Sequence, residues 1–307
     1  MRAAVIDLGT NTVRLLVAEL HPRAAWRPVH AEQRVTRLGE GARASGALGR
    51  IPMARTAAAV AEYVARARAL GASDVRIVAT SAVREAKNGR AFAERLARDT
   101  AQRVDVISGD EEARLTLRGL ARGLTLAGRT IAFDIGGGST EYVLADDARL
   151  VAAVSLKLGV VPLAERFPFP ERLDAARYGT MLADIRAQLA RELPATIVNT
   201  PIVTLVGTAG TVTTLAALDL GLATYDSDRV HGHPLTRAAV DRLLARLGAL
   251  TVTERGDLPC LEPGRADLII PGTAIVVATM ERLRVDALVV SEHGLREGIM
   301  EAVSESA

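Results

Sequence analysis

The sequence predicts a duplicated α/β protein, with two domains of one plan that each offer two small-residue turns to a shared cleft. Three observations carry this. Val5–Val17 (VIDLGTNTVRLLV) and Ile131–Leu144 (IAFDIGGGSTEYVL) both run from an apolar stretch into Asp, Gly and a polar turn, then into a second apolar stretch. Asp7 lines up with Asp134, Gly9 with Gly136, Thr12 with Ser139 and Arg14 with Glu141. Ile77–Arg84 (IVATSAVR) and Leu205–Val212 (LVGTAGTV) repeat at nearly the same offset, each an apolar strand entering a small-residue turn. A period this long is no solenoid unit but a duplicated domain. A length of 307 residues also favours two domains over one.

The elements follow in order. Residues 2–8 and 12–20 are apolar, β-prone runs separated by the Gly9–Asn11 turn, hence two strands, with a third β-prone piece near Trp26–Val29. Glu32–Arg43 is polar, arginine-rich and broken by glycine, so it reads as a loop. It either projects Arg34, Arg37 or Arg43 toward an anion or serves as a solvated connector. Ala54–Leu70 has an amphipathic helical pattern that stops at Gly71. Val75–Ala79 is a strand, Thr80–Ala82 a turn, Ala91–Arg98 a short helix and Val104–Ile107 a strand ended by Ser108-Gly109. Asp110, Glu111 and Glu112 then open a helix. Acids in a first turn are ordinary caps and dipole partners, or one of them aims at the cleft as a general base.

The second half repeats the plan. Thr130–Phe133, Glu141–Leu144 and Leu150–Ser155 read as strands, Gly159–Arg166 as a short helix and Pro170–Leu193 as a long one. Strand Pro201–Leu205, the turn Gly207–Thr211 and helix Val212–Leu220 follow. Residues 221–234 read as a loop carrying His231 and His233, which lack the partners of a metal motif and are expected to be hydrogen-bonded loop histidines. Helices Leu235–Leu247 and Asp267–Leu283, strand Ala287–Ser291 and helix Gly294–Val303 complete the chain.

Composition limits the function. Hydrophobic residues make up 49% and charged residues 24%, a globular balance, and aromatics at 3% leave the core to Ala, Val, Leu and Ile. A net charge of +2 is too small for bulk nucleic-acid binding. No apolar run of membrane-spanning length and no leader are read, so no membrane partner is expected and the cytoplasm is the expected compartment. The single cysteine, Cys260, excludes an internal disulfide and reads as an incidental thiol.

The Ile131–Leu144 stretch carries the chemistry. Its glycines, Gly136, Gly137 and Gly138, let the backbone adopt positive φ and approach a ligand with N–H groups inward. Ser139 and Thr140 add hydroxyls, and Asp134 and Glu141 add oxygen ligands for a hard cation, which suits Mg²⁺ beside phosphate.

Taken together, VIDLGTNTVRLLV, ISGDEEARL, FDIGGGSTEYVL, VGTAGTVTTLA and SEHGLREGIM, in this order and spacing, resemble the exopolyphosphatase/guanosine pentaphosphate phosphohydrolase (Ppx/GppA) family across essentially the whole chain. The resemblance implies two duplicated ribonuclease-H-like α/β domains of the actin, sugar-kinase and heat-shock-chaperone superfamily, with the active site in an interdomain cleft. It divides the chain into residues 1–122 and 123–293, with the helix at 294–307 returning to the first domain. It implies hydrolysis of a terminal phosphoryl group by water. By position in the motifs, Glu112 falls on the catalytic base and Glu141 on a group linked to Mg²⁺ and the attacking water. Asp134 and Asp7 join Glu141 as metal-side carboxylates. Thr10, Asn11, Thr12, Arg84, Gly136, Gly137, Gly138, Ser139, Gly207, Thr208 and Gly210 fall where phosphate is held.

The resemblance also implies Mg²⁺ as cofactor, with a monovalent cation such as K⁺ as a further candidate, and a homodimer. Inorganic polyphosphate is the expected substrate and guanosine pentaphosphate (pppGpp) the alternative. Longer family members carry a further C-terminal region, so short polyphosphate is the expected preference. His293 stands where a small residue is expected and Lys157 where short members often carry proline; neither receives a role. The same glycine turns would serve a kinase of the superfamily, but DEEARL matches the hydrolases. A non-catalytic phosphate sensor would lack an acid, and Asp7, Glu112, Asp134 and Glu141 are all present.

Overall fold

The structure, a computed structural model, describes residues 1–21 and 25–306. The chain forms two compact units, residues 1–122 with 294–307, and residues 123–293. Ala307, the last residue of the expected terminal helix, lies outside the described residues.

In the first unit, β1 (Arg2–Leu8), β2 (Thr12–His21), β3 (Ala25–Val35), β4 (Ala72–Ala79) and β5 (Val104–Val106) form one sheet in the order β3-β2-β1-β4-β5. β1–β2 and β2–β3 pair antiparallel, β1–β4 and β4–β5 parallel. Its helices are α1 (Ala42–Ser45), α2 (Arg50–Ala69), α3 (Ser81–Glu85), α4 (Gly89–Thr100) and α5 (Gly109–Gly123), joined at the end of the chain by α14 (Leu295–Glu305). Both faces of the sheet are covered, so β1 is apolar continuously from Ala3 to Ile6 instead of alternating. Ala4, Ile6 and Leu8 pack with Val60, Tyr63 and Phe92 of α2 and α4. Ala3 and Val5 pack with Leu115 of α5 and Leu295, Ile299 and Met300 of α14. Asp7 shares that second face. α5 and α14 cross so closely that a Cβ on Gly119 would overlap the Gly294 carbonyl, and one on Gly298 the Leu115 carbonyl. Only glycine permits that approach.

In the second unit the sheet order is β10-β11-β9-β6-β7-β8, formed by β6 (Arg129–Ile135), β7 (Thr140–Asp146), β8 (Arg149–Leu156), β9 (Thr204–Thr208), β10 (Pro234–Thr236) and β11 (Ala287–Ser291). The helices are α6 (Val160–Arg166), α7 (Ala175–Glu192), α8 (Ala195–Val198), α9 (Ala209–Asp219), α10 (Ser227–Val230), α11 (Arg237–Gly248), α12 (Val252–Gly256) and α13 (Ile269–Leu283). Ile131, Phe133, Ile135, Tyr142 and Leu144 join Leu215, Val240, Ile275 and Met280 of these helices in one core. Both units therefore share the ribonuclease-H-like centre that the family resemblance implies: an antiparallel hairpin flanked by a parallel strand.

Several local readings change. Glu32–Val35 is not loop but the end of β3, where Arg34 pairs with Glu62 at 2.6 Å and lies over Tyr63. Neighbouring strands kept those polar residues extended. The long helix begins at Ala175, capped by Asp174, and not at Pro170. Gly207 and Thr208 belong to strand β9, and α9 starts at Ala209, so no separate Gly207–Thr211 turn exists. The 221–234 loop contains α10 and leads into β10, whose three residues are too short for an apolar period to show. Among the described residues no helix is long and apolar enough to cross a membrane.

Candidate active site

The two β-hairpins close in the same way. The Gly9 N–H donates to the Thr12 carbonyl at 3.1 Å, and the Gly136 N–H to the Ser139 carbonyl at 2.9 Å. Each turn is braced through its carbonyls. Thr10 O accepts from Gly39 N–H at 2.8 Å and Asn11 O from the N–H groups of Thr36 and Arg37 at 2.9 Å. Gly136 O accepts from Val160 N–H at 3.2 Å and Gly137 O from Val161 N–H at 2.9 Å. The amide N–H groups of Thr10, Asn11, Gly137 and Gly138 have no hydrogen-bond partner among the described residues. Carbonyls turned into the protein and donors left over make each turn an anion cradle. The expected positive φ is absent at Gly136. Close approach is what requires glycine at Gly136, since a Cβ there would stand 3.0 Å from the Ser139 carbonyl.

Sheet register brings the second unit's candidates into one row. Thr208 pairs with Asp134, Asp134 with Glu141, and Glu141 with Ser155, across β9, β6, β7 and β8. Glu141 is 2% exposed and accepts from the Ser155 hydroxyl at 2.7 Å. Two carboxylates directly opposite one another repel. A cation placed beside both reverses that cost.

The first unit's row is Val78, Asp7, Arg14 and Gln33. Asp7 is buried, and its Oδ1 has no hydrogen-bond partner. Burial raises its pKa above the ordinary 3.8, with Arg14 and Arg296 pulling it back and Glu297 adding to the rise. Glu297 caps α14 by accepting from the Gly294 N–H at 3.0 Å. Burial works against its charge, yet Arg296 and that N–H hold its pKa below the usual value.

Glu112 and Arg84 come together. Arg84 Nη1 donates to Glu112 Oε2 at 2.9 Å and to the Ile107 carbonyl at 3.0 Å. The adjacent Glu85 accepts from the Ser81 hydroxyl at 3.1 Å. Arg84 therefore fixes the Glu112 carboxylate, while its Nε and Nη2 have no hydrogen-bond partner among the described residues. Thr80 N–H donates to Leu8 O at 3.2 Å, which joins this corner to the Gly9 turn.

The second repeat is imperfect in space. By sequence Thr80 matches Thr208, but Asp7 pairs with Val78 whereas Asp134 pairs with Thr208 itself. Thr208 donates its hydroxyl toward Ser291 O and His293 O at 2.9 and 3.0 Å. Arg265 is a candidate that sequence reading missed. Its guanidinium occupies the space a Cβ on Gly210 would need, against the first turn of α9. Glu262 pairs with Arg265 at 3.0 Å and offsets the cost of a cation at the positive end of a helix. Arg265 lies 55 residues beyond Gly210 in a segment with no motif, so nothing in the sequence marked it. The loop histidines are hydrogen-bonded, His233 to Asp219 at 3.0 Å and His231 to Gly123 O at 2.9 Å.

Turns with unpartnered N–H groups, a row with two carboxylates and a glutamate held by an arginine are groups that suit phosphoryl transfer, and the comparisons with known proteins say to which family they belong. Residues 16–306 match the Ppx/GppA phosphatase family. The chain belongs to that family. It is 37% identical to exopolyphosphatase 2 of Mycobacterium tuberculosis, covering 97% of each chain. The Aquifex aeolicus Ppx/GppA family member superposes with a TM-score of 0.83 at 31% identity, covering 100% of this chain and 98% of that one. A guanosine-5'-triphosphate,3'-diphosphate pyrophosphatase of Aliivibrio fischeri is 29% identical over 96% of this chain but only 58% of its own.

Proposed function

We propose that this chain is an exopolyphosphatase that releases orthophosphate from the ends of inorganic polyphosphate, with short chains preferred. The observation that carries the chemistry is the row Thr208, Asp134, Glu141 and Ser155 beside the Gly136–Ser139 cradle. The reading requires both units' turns to serve one phosphate chain.

The donor set fits Mg²⁺. Asp134, Glu141 and the buried Asp7 Oδ1 are hard oxygen donors. No group of three His, Cys, Asp or Glu is gathered to hold a metal among the described residues. Mg²⁺ is commonly held that way, by one or two carboxylates, substrate phosphates and water. When bound it supplies neutralisation of charge on the phosphate oxygens. A monovalent cation such as K⁺ is a further candidate along the phosphate chain.

The remaining steps belong to the chain's own groups. The N–H groups of Thr10, Asn11, Gly137 and Gly138, the hydroxyls of Thr12 and Ser139, the Thr208 end of β9 and the free nitrogens of Arg84 hold the terminal phosphates. Glu112, fixed by Arg84, orients a water and takes its proton. The water oxygen bonds the terminal phosphorus as the bridging P–O bond breaks, giving orthophosphate and a chain one unit shorter. Such a transfer asks mainly for positioning and charge neutralisation. We place the enzyme in the cytoplasm as a homodimer, following the family.

Glu112→Gln, measured by phosphate release from polyphosphate, is expected to lower kcat about 10²–10⁴-fold with the fold retained, the span of a lost general base. A variant that keeps most of its activity removes Glu112 from that role. Hydrolysis of pppGpp is the second reading, supported by the pyrophosphatase relative, and it uses the same residues.

A further inference from the structure

The chain passes between its two units twice, at Arg122–Gly123 and at His293–Gly294. Both passages are unusually well fastened. Arg122, at the end of α5, lies with its guanidinium carbon 3.7 Å over the Trp26 ring and donates to Trp26 O and Glu301 at 2.7 Å. On the other side of the bond the fastening is a single imidazole. His231 Nδ1 accepts from the Glu292 N–H at 3.2 Å, so that nitrogen carries no proton. In the neutral ring the proton is then on Nε2, which donates to Gly123 O at 2.9 Å. A carbonyl only accepts, so the two bonds agree on one tautomer. The His293 ring lies 4.9 Å from that of His231, tilted by 32°. Gly123 leaves room for both rings, since a Cβ there would stand 2.8 Å from His231 Nε2 and overlap His293 Nδ1. The same returning segment receives the Thr208 hydroxyl at Ser291 O and His293 O.

We infer that His231 is a positioning residue, clasping the outgoing passage at Gly123 to the returning passage at Glu292 and thereby setting the Thr208 end of β9. The role of Thr208 in holding phosphate rests on the exopolyphosphatase reading; the clasp does not. His231 touches no substrate, and its position follows from packing on the loop 231–233, which is bonded to β11 through Gly232 N–H to Val290 O at 2.8 Å. Asn supplies one donor and one acceptor in place of the imidazole pair, Phe supplies neither while keeping the ring stack, and Ala at 123 pushes on the clasp from the opposite side.

The test combines amide hydrogen exchange with phosphate release on the full chain carrying His231→Phe, His231→Asn or Gly123→Ala. Losing two hydrogen bonds should speed exchange in residues 120–126 and 289–294 by roughly tenfold or more, with 206–211 following, while β1 and β7 stay protected. His231→Phe and Gly123→Ala should raise KM for tripolyphosphate roughly tenfold with kcat less affected, and His231→Asn should restore part of both effects. Nitrogen NMR of the unsubstituted protein should show His231 with Nε2 protonated and Nδ1 bare. Faster exchange in only one passage, a uniform rise across both sheets, or an unchanged KM with both passages loosened would each overturn the assignment. If the unsubstituted protein releases phosphate from no substrate, the exopolyphosphatase reading fails, and the exchange result still decides the clasp.

Discussion

The two hairpins share a backbone and differ in charge. In the first, the row across the sheet reads Val78, Asp7, Arg14, Gln33; in the second it reads Thr208, Asp134, Glu141, Ser155. The turns close through the same N–H to carbonyl bond, so both hairpins keep one turn geometry. What diverged is the residue facing the central aspartate. An arginine faces Asp7 and moderates the cost of its burial, whereas a second carboxylate faces Asp134 and adds repulsion. Under the proposed function a cation offsets that repulsion, so the second hairpin is proposed to supply two metal-side carboxylates and the first hairpin one, Asp7. The lesson is that the two hairpins keep one backbone while a single cross-strand substitution changes the charge each presents.

The largest test of that difference is Glu141→Gln. It should lower polyphosphate hydrolysis about 10²–10³-fold, the range for losing a principal electrostatic group, and shift the Mg²⁺ requirement upward. A titration of phosphate release against Mg²⁺ checks both. If only the rate falls and the Mg²⁺ midpoint stays, the second row is not the metal side.

The braces provide the next comparison. A Cβ on Gly159 would collide with the backbone of Gly137 and Gly138, which cannot yield without moving the cradle. A Cβ on Gly39 would meet only the Thr10 methyl group. Gly159→Ala should therefore cost about 10²-fold in kcat/KM, the scale of an ångström of misplacement. Gly39→Ala should cost no more than roughly threefold, because Thr10 can turn to another staggered rotamer. Equal losses would show the two turns to be equally tuned.

The smallest effect is on stability. Burial raises the pKa of Asp7 in the folded protein, so its contribution to stability is fully present below the unfolded value of 3.8 and is lost as pH rises through the folded value. Asp7→Asn removes that loss at neutral pH and should raise Tm. The gain should fade as the pH falls toward 4, where the native Asp7 is protonated as well. Thermal melts at several pH values read it, and activity should fall even as Tm rises. A variant less stable at pH 7 would mean that Asp7 is held by partners strong enough to outweigh its burial.

Much of this was legible in the sequence. The Asp-Gly-turn repeat located both hairpins and paired Arg14 with Glu141, because a tight turn fixes register and register fixes which residues face each other. Helices with a long apolar period, such as α2 and α13, were readable for the same local reason. What escaped was decided by distant partners. Glu32–Val35 extends only because β2 lies beside it, and Arg265 reaches Gly210 only through the fold. The offset between Thr80 and Thr208 is invisible in an alignment of the turns, since it depends on how β4 and β9 slide along their parallel neighbours. Glu112 was readable as a candidate base, but its fixing by Arg84 across 28 residues was not.

The most direct single measurement is phosphate release, with Mg²⁺ present, from tripolyphosphate, long polyphosphate, pppGpp and ATP in parallel. Release from polyphosphate, fastest on the short chain and slight from ATP, is the predicted result. Release from pppGpp alone would give the site to the nucleotide, and silence on all four from folded protein would contradict hydrolysis at these turns.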